Sequence, residues 1–459
     1  MGALFDDGFV EIGAFVGGLA QGETAAPADG LVAGFGKING RPALAGAEDF
    51  TVLGGSIGDG GADKRYRLVQ LATQERVPLV FMLEGAGHRL TNNHAGRRPN
   101  DLQGLAELSG QGPIVCLVMG PSAGHGALTA PLSDFVVMTE AASLFTGGPP
   151  LVKGAIGEIV TKEQLGGPQV HIVQSGVAHN LAADDEAAID AARQYLSYFP
   201  PNAWARAGRT EGPDTGARRL DAILQLIDPD PRIPFEMRAV LEMLVDAGSL
   251  FEIQPGFGKS IVTALARLGG RGVAIVANDP SHGAGAIDAD AADKAAHFID
   301  VAGAFHLPVV FLTYNPGVMV GTAAEKTGIL RHAARMFVAQ HRLKGPKLHV
   351  TLRKAFGFGS SIMAMNPFDG QTVSLAFPAA SLGAMPVASA AASAKLDDET
   401  RARIAAEQAG GAFHIADRLG FDDVIDPREL RNALLHGLDL TEGRKGEPLG
   451  PVRTKGITP

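Results

Sequence analysis

The chain is poor in cysteine, in tryptophan and in positive charge. One residue of 459 is a cysteine, Cys116. An intrachain disulfide is therefore impossible, and a cysteine-based zinc site is excluded. Cys116 lies in the apolar run 114–119 and reads as a small core residue. Lys and Arg number 40 against 49 Asp and Glu, a formal net charge of −9. A nucleic-acid binder would show basic clusters, and none is expected here. A tight basic pair, Arg97-Arg98, reads as part of a solvated loop. No run reaches about 18 apolar residues without a breaker, so no membrane span is expected. The N-terminal MGALFDDGFVEIG is acidic and has no basic n-region with an apolar h-region. No export signal is read there, and the cytoplasm is the expected location. His171 and His179 stand at no metal-ligand spacing and read as structural or pocket-lining, so no metal site is expected.

What the chain does have is apolar residues and glycine. Hydrophobic residues make up 46% and charged ones 19%, which suits large cores. The length allows about two or three domains. An internal repeat organises it. Residues 31–87 align without a gap on 261–317, at a constant shift of 230. Asn39-Gly40-Arg41 falls on Gly269-Gly270-Arg271, Ala62-Asp63-Lys64 on Ala292-Asp293-Lys294, and Val77–Phe81 on Leu307–Phe311. Phe9–Ile12 has an echo in Leu250–Ile253. The chain therefore reads as two copies of one domain, 1–230 and 231–459, joined at Asp228-Pro229-Asp230-Pro231. Each copy runs hairpin, helix, buried strand, helix, strand. Asn39-Gly40 is the favoured dipeptide of a type I′ hairpin turn. Residues 63–74 have helical spacing, with Tyr66, Val69 and Gln70-Leu71 on one face. Lys64 and Lys294, at matched positions, read as residues of a helix face rather than of a shared catalytic duty. Strands joined by helices, without the alternation of half-wet sheets, indicate α/β layers.

Within each copy one stretch stands out. Ile114–Met119 is a short apolar run that breaks into Gly120-Pro121-Ser122-Ala123-Gly124-His125-Gly126. Lys347–Ser360 is again an apolar run ending in a glycine turn. At a shift of 233, Gly124-His125-Gly126 falls on Gly357-Phe358-Gly359. Small residues leave backbone N–H groups uncovered, so such a turn can present donors to a negative oxygen. Two such turns predict two oxyanion sites. The plainer reading of either turn alone is a buried sheet turn.

Further motifs carry a family resemblance. Asp49–Ser56 followed by Lys64 resembles the opening motif of acyl-CoA carboxylase β subunits, the biotin-dependent carboxyltransferases. Ser143-Leu144-Phe145 with Gly148-Pro149 and Val152-Lys153 fits the same family, as does Glu163–Gly167 with His171 and Ser175–His179. In the second copy the matching pieces are Pro316-Gly317, Gly321-Thr322, Glu325, Gly328–His332 and Arg353-Lys354-Ala355, with Asp422–Pro427 further on. The resemblance covers nearly the whole chain. It implies two tandem crotonase-like (ββα superhelix) domains, the first on the acyl-CoA side and the second on the biotin side. It also implies an active site shared between subunits of a hexamer, and partnership with a biotin carboxylase and a biotin carrier. The chain has no Ala-Met-Lys-Met type of biotin attachment site, so biotin would arrive on another polypeptide.

Carboxylating an acyl thioester passes through an enolate whose oxygen needs preformed donors. By resemblance, the Gly124-His125 turn serves that enolate and the Phe358-Gly359 turn serves biotin. Gly126, Gly148, Pro149 and Ser361 would line the acyl-CoA, Ser361 at the position tied to acyl-chain preference. Gly317, Gly321, Thr322 and His332 would lie on the biotin side. No protein base is required, because biotin itself can take the α-proton. Three positions depart from the family. His125 stands where a second glycine is usual, Phe358 brings bulk to the second turn, and Ser381–Val387 keeps only the frame of its motif. His88-Arg89 could reach a CoA phosphate, although a surface loop is the plainer reading. The readings that compete are a decarboxylase or transcarboxylase subunit, a non-catalytic β-like subunit, and a biotin-independent crotonase-like acyl-CoA enzyme. The last would call for a catalytic Glu at a turn, and neither turn contains one.

Overall fold

The computed structural model describes all residues except 18–25, 91–99, 213, 229, 231–232, 388–389, 391–396, 447–448, 453–456 and 458–459. The Arg97-Arg98 pair lies outside the described residues, as do parts of the 228–231 joint and of the 381–387 motif's continuation. The chain forms two compact units, Met1–Arg206 with Leu449–Pro459, and Ala207–Pro448.

The first unit is built on a seven-stranded sheet. Its elements are β1 (Phe9–Ile12), β2 (Leu31–Ile38), β3 (Arg41–Glu48), α1 (Asp59–Glu75), β4 (Leu79–Leu83), α2 (Asp101–Leu108), β5 (Ile114–Val118), β6 (Pro121–Ala123), α3 (Gly124–Ala127), β7 (Phe135–Thr139), β8 (Ser143–Phe145), α4 (Pro149–Ile156), α5 (Lys162–Gly166), β9 (Asn180–Ala182) and α6 (Asp185–Tyr198). The strand order is β1-β2-β3-β4-β5-β7-β9, while β6 and β8 form a separate pair. β1, β2 and β3 pair antiparallel, and from β3 onward the pairing is parallel. Every residue of β4, β5 and β7 is buried, as parallel strands covered on both faces require. Cys116 is in that core with Leu68, Phe81, Leu105 and Met138.

The second unit repeats the plan with α7 (Ile223–Leu226), α8 (Met237–Leu244), β10 (Phe251–Ile253), β11 (Ile261–Leu268), β12 (Arg271–Asn278), α9 (Ala289–Ala304), β13 (Val309–Asn315), α10 (Thr322–Lys326), α11 (Ile329–His341), β14 (Lys347–Phe356), α12 (Gly357–Ile362), β15 (Val373–Ala376), β16 (Ser381–Gly383) and β17 (Asp423–Val424). Its order is β10-β11-β12-β13-β14-β15-β17, with β16 also pairing with β14. The registers match across the repeat: Leu44 faces Leu79 in the first sheet, and Ala274 faces Val309 in the second.

Both hairpins turn by the same device. Asn39 and Gly40 take φ of 52° and 74°, and Gly269 and Gly270 take 63° and 75°. A type I′ turn needs positive φ at both central positions, which suits Asn and Gly. A carboxylate then accepts both turn amides: Asp6 from Asn39 and Gly40, and Asp246 from Gly269 and Gly270.

One expected face is wrong. α1 buries Lys64, Arg65, Leu68, Val69 and Ala72, and Gln70 is exposed. The two cations lie inside because each has acceptors there. Lys64 Nζ donates to the carbonyls of Ala28 and Leu31, and Arg65 donates to two carboxylates. Lys294 is buried in the same way, donating to Phe257 O at 2.7 Å. A buried cation with partners costs far less than an unpaired one, and no periodicity count sees the partners. Among the described residues no helix is long and apolar enough to cross a membrane.

Candidate active site at two glycine turns

In the first unit β5 leads through Gly120 and β6 into α3. At Gly120 a Cβ would lie 2.5 Å from the Glu84 side chain, which would have to shift to admit one. Gly124 has φ 61°. Ala123 N donates to Gly85 O at 2.9 Å, tying the turn to the end of β4. An α-helix gives its first amides no intrahelical acceptor. Here those include His125 and Gly126, and none of the turn and cap hydrogen bonds among the described residues uses them. Thr146 O approaches the Gly124 side of the turn, 3.8 Å from where a Cβ would sit, and two residues on Gly148 and Pro149 open α4.

The His125 ring is 15% exposed and is held by side chains of its own unit. Its Nε2 lies 2.5 Å from Asp101 Oδ1, and its ring meets His88 edge-on with centroids 4.5 Å apart. Asp101 Oδ2 accepts from Arg65 Nε at 2.8 Å. Arg65 also donates to Glu48 at 3.0 Å and to Thr129 Oγ1 at 2.6 Å. Glu48 Oε2 accepts the backbone N–H of Glu84 at 2.9 Å. His125, Asp101, Arg65 and Glu48 thus form one chain beneath the turn, and Arg65 is 1% exposed. Burial pushes the Glu48 carboxyl up, against the pull of Arg65. Burial also opposes ionisation of Asp101, but the His125 hydrogen bond and the Arg65 charge hold it well below the usual carboxylate range.

In the second unit β14 runs directly into α12. Gly357 has φ 60°, and Phe358 and Gly359 occupy the first helical turn. Gly359 packs against Asn315 and Gly317: a Cβ there would lie 2.6 Å from Asn315 Nδ2 and 3.1 Å from Gly317 Cα. Asn315 is fully buried, and its Oδ1 accepts from Gly317 N at 2.8 Å. Its Nδ2 is buried and meets no acceptor among the described residues. Phe358 is 56% exposed. It borders an apolar pocket of about 380 Å³ with Leu330, Ala333, Phe337, Ser361 and Ile362. Ser361 Oγ accepts from Asn366 Nδ2 at 3.2 Å.

The structure thus groups Gly124, His125 and Gly126 at one turn, and Gly317, Phe358, Gly359 and Ser361 at or beside the other. It gives the other named residues different surroundings. Gly321 and Thr322 are exposed at the start of α10, with nothing within 4 Å of a Gly321 Cβ. The His332 ring is tied to Asp293 Oδ2 at 2.7 Å and Thr327 O at 3.1 Å. Arg89 is bound to Asp29 at 2.6 Å and to Ser56. His179 accepts from Val136 N at 2.8 Å, and His171 contacts Leu144 O at 2.6 Å. Among the described residues no three His, Cys, Asp or Glu side chains are grouped to hold a metal.

Sequence reasoning missed Glu48, Arg65, Asp101 and Asn315. One signal was available. At a shift of 230, Glu48 falls on Asn278, Arg65 on Ala295 and Gly85 on Asn315, so the repeat breaks at these positions.

Comparisons with known proteins agree with this architecture. The family model for the carboxyl transferase domain matches residues 2–449. The chain is 34% identical over 432 residues to the methylmalonyl-CoA carboxyltransferase 12S subunit of Propionibacterium freudenreichii subsp. shermanii, covering 90% of this chain and 81% of that protein. It is 33% identical over 459 residues to the methylmalonyl-CoA decarboxylase subunit alpha of Veillonella parvula, covering 96% and 89%. A crystal structure of transcarboxylase 12S, a hexamer with methylmalonyl-coenzyme A and methylmalonic acid bound, superposes with a TM-score of 0.90 at 32% identity. It covers all of this chain and 91% of that one.

Proposed function

The chain belongs to the carboxyl transferase domain family, and from that premise we propose that it moves a carboxyl group between biotin on a separate carrier polypeptide and the α-carbon of an acyl-CoA, with one glycine turn for each reactant. The observation that supports the two-turn reading is the duplication itself. Both copies lead from a parallel strand, β6 or β14, into a left-handed glycine, Gly124 or Gly357, followed by first-turn amides.

On the acyl side, the amides of His125 and Gly126 hold the thioester oxygen as the α-carbon gains negative charge. A donor aimed at such an oxygen is worth about 3–4 kcal/mol of barrier. The His125 ring does not obstruct the turn, because Asp101 holds it. Gly148 and Pro149, on the loop beside the turn, bound the thioester, and Ser361 with Asn366 limits the acyl chain. On the other side, the residues present fit biotin. A ureido carbonyl asks for N–H donors, and a ring with a hydrocarbon arm asks for apolar contact. The Gly359 amide, the buried Asn315 amide and the pocket at Phe358 provide both. The carrier's biotin, when bound, supplies or accepts the carboxyl group. Gly317 shapes the floor of that site, and the segment holding Gly321, Thr322 and His332 borders it. The working form we propose is a cytoplasmic hexamer that needs no metal of its own, partnered by a biotin carboxylase and a carrier.

The test uses the purified full chain with free biotin and methylmalonyl-CoA or malonyl-CoA. Slow, biotin-dependent decarboxylation is expected. No biotin-dependent turnover across a broad thioester panel, with a biotinylated carrier also supplied, rejects the reading.

A further inference from the structure

Asn315 Nδ2 is a buried hydrogen-bond donor without an acceptor among the described residues. Leaving such a group unpaired is costly, and native proteins rarely do so without reason. The orientation of the side chain is determined by its other end. Oδ1 accepts the Gly317 N–H at 2.8 Å, so the NH₂ group points the opposite way. That direction is toward Gly359, where a Cβ would lie 2.6 Å from Nδ2. Any side chain at 359 would collide with this donor, so only the glycine leaves it in place.

We propose that the Asn315 side-chain amide donates a hydrogen bond to the ureido oxygen of the carrier's biotin, acting beside the Gly359 amide. This inference rests on the assignment of biotin to the second turn. Its basis is the unpartnered amide in a fully buried side chain, and the short helix that follows adds nothing to it. At a shift of 230, Gly85 occupies the place of Asn315 in the first unit, and the buried groups without a partner there are the hydroxyls of Ser122, Ser143 and Tyr195 among the described residues. The two turns therefore differ in the kind of side-chain donor left without a partner, a carboxamide in the second unit and hydroxyls in the first. A carbonyl oxygen that gains negative charge as the carboxyl group departs accepts more strongly from such a donor, so Asn315 favours transfer over ground-state binding.

Asn315→Asp tests this with little change of shape. It keeps an oxygen for Gly317 N–H and replaces the NH₂ donor with a second oxygen. Asn315→Ala, which buries no charge, is the second variant should the first fail to fold. Each is assayed on the full chain for kcat/KM toward free biotin in methylmalonyl-CoA decarboxylation, and for free-biotin binding by saturation-transfer NMR. Both variants are expected to lose about 100-fold in kcat/KM for biotin at pH 8, with the KM for methylmalonyl-CoA within twofold of wild type. Biotin saturation transfer should weaken by less than kcat/KM does, because the bond is strongest as the carboxyl group departs. For Asn315→Asp, activity should recover as the pH falls toward 6, because the protonated acid regains an O–H donor. A merely structural asparagine would lower the melting temperature and leave the biotin KM, its NMR signal and the pH profile unmoved. Variants that match wild type within twofold in biotin kcat/KM and binding overturn the proposal and leave the carboxyltransferase reading standing. A wild-type chain with neither biotin-dependent turnover nor a biotin signal overturns both.

Discussion

The two units share a strand order, a register and a turn, yet they fill the ground beneath that turn with opposite chemistry. Under the first turn lies a charged chain, His125–Asp101–Arg65–Glu48. In the second unit the matched positions hold Phe358, Ala334, Ala295 and Asn278. One bond survives the exchange. Glu48 accepts the backbone N–H of Glu84 at 2.9 Å, and Asn278 accepts the N–H of Tyr314 at 3.2 Å. A side-chain oxygen at this place is thus part of the shared scaffold. The guanidinium and the second carboxylate are additions of the first unit. The lesson is that duplication preserved the backbone donors of the turn, while each copy was free to choose how that turn is braced.

The largest expected effect tests the bracing. Arg65→Ala leaves Glu48 and Asp101 buried without their cation, and should cost about 3–5 kcal/mol. Urea unfolding followed by hydrogen exchange in each unit would place the loss in the first unit. Adding Glu48→Asn recreates the second unit's own Asn/Ala pair and should recover most of it. A double variant no more stable than Arg65→Ala breaks the comparison.

Next come the turns themselves. Gly126→Pro and Gly359→Pro each remove one N–H at a matched first-turn position, and Gly359→Pro also sets its ring against Asn315, where a Cβ would lie 2.6 Å from Nδ2. Each should lower kcat by about 10²–10³-fold. Gly126→Pro should weaken acyl-CoA dependence and Gly359→Pro biotin dependence. Identical kinetic signatures for the two would remove the distinction between the turns.

A third contrast lies in the sheets. At a shift of 233, Cys116 falls on His349. His349 is fully buried between Met363 O and Thr351 Oγ1, both at 2.8 Å. Burial pushes its pKa down from 6.5 to about 4. Between those values the unfolded chain binds the extra proton and the folded chain does not. The second unit therefore loses stability as pH falls from about 6.5 to about 4, by about 3 kcal/mol. In the first unit burial raises the Asp134 carboxyl to about 7. There the folded state binds the extra proton, so acidification from about 7 to about 4 stabilises it. Unfolding measured at a series of pH values should show opposite slopes for the two units. His349→Cys should flatten the second, and a slope that survives it rejects this cause.

The smallest effect is expected of His125→Phe, which places the second unit's residue in the first turn. The amide remains, so turnover should stay within about tenfold of wild type. The lost bond to Asp101 should cost about 2 kcal/mol in melting experiments. A loss of turnover above 100-fold would show that the ring itself takes part.

The plan of the fold was legible early because it was written twice. The fixed shift, the Asn39-Gly40 turn and the buried runs of β4 and β5 are local or repetitive signals. The wrong face of α1 shows where that legibility ends. The expected face ran through Tyr66, Val69 and Gln70-Leu71 and left out Lys64 and Arg65, because their acceptors come from distant segments. Asp101 is 36 residues from Arg65, and Glu48 belongs to another strand. Asn315 was missed for a related reason. An asparagine after a strand and before Pro-Gly reads as a turn residue, and only packing shows its amide to be buried and unpaired.

The order of residues was thus enough for the duplication, the layered class and the two glycine turns, since each depends on neighbours in sequence or on repetition. Which side chains were sealed beneath those turns, and which donor was left without an acceptor, followed from folding alone. Burial and pairing are properties of residues brought together from far along the chain, and there the free energy of a charge or an amide is decided.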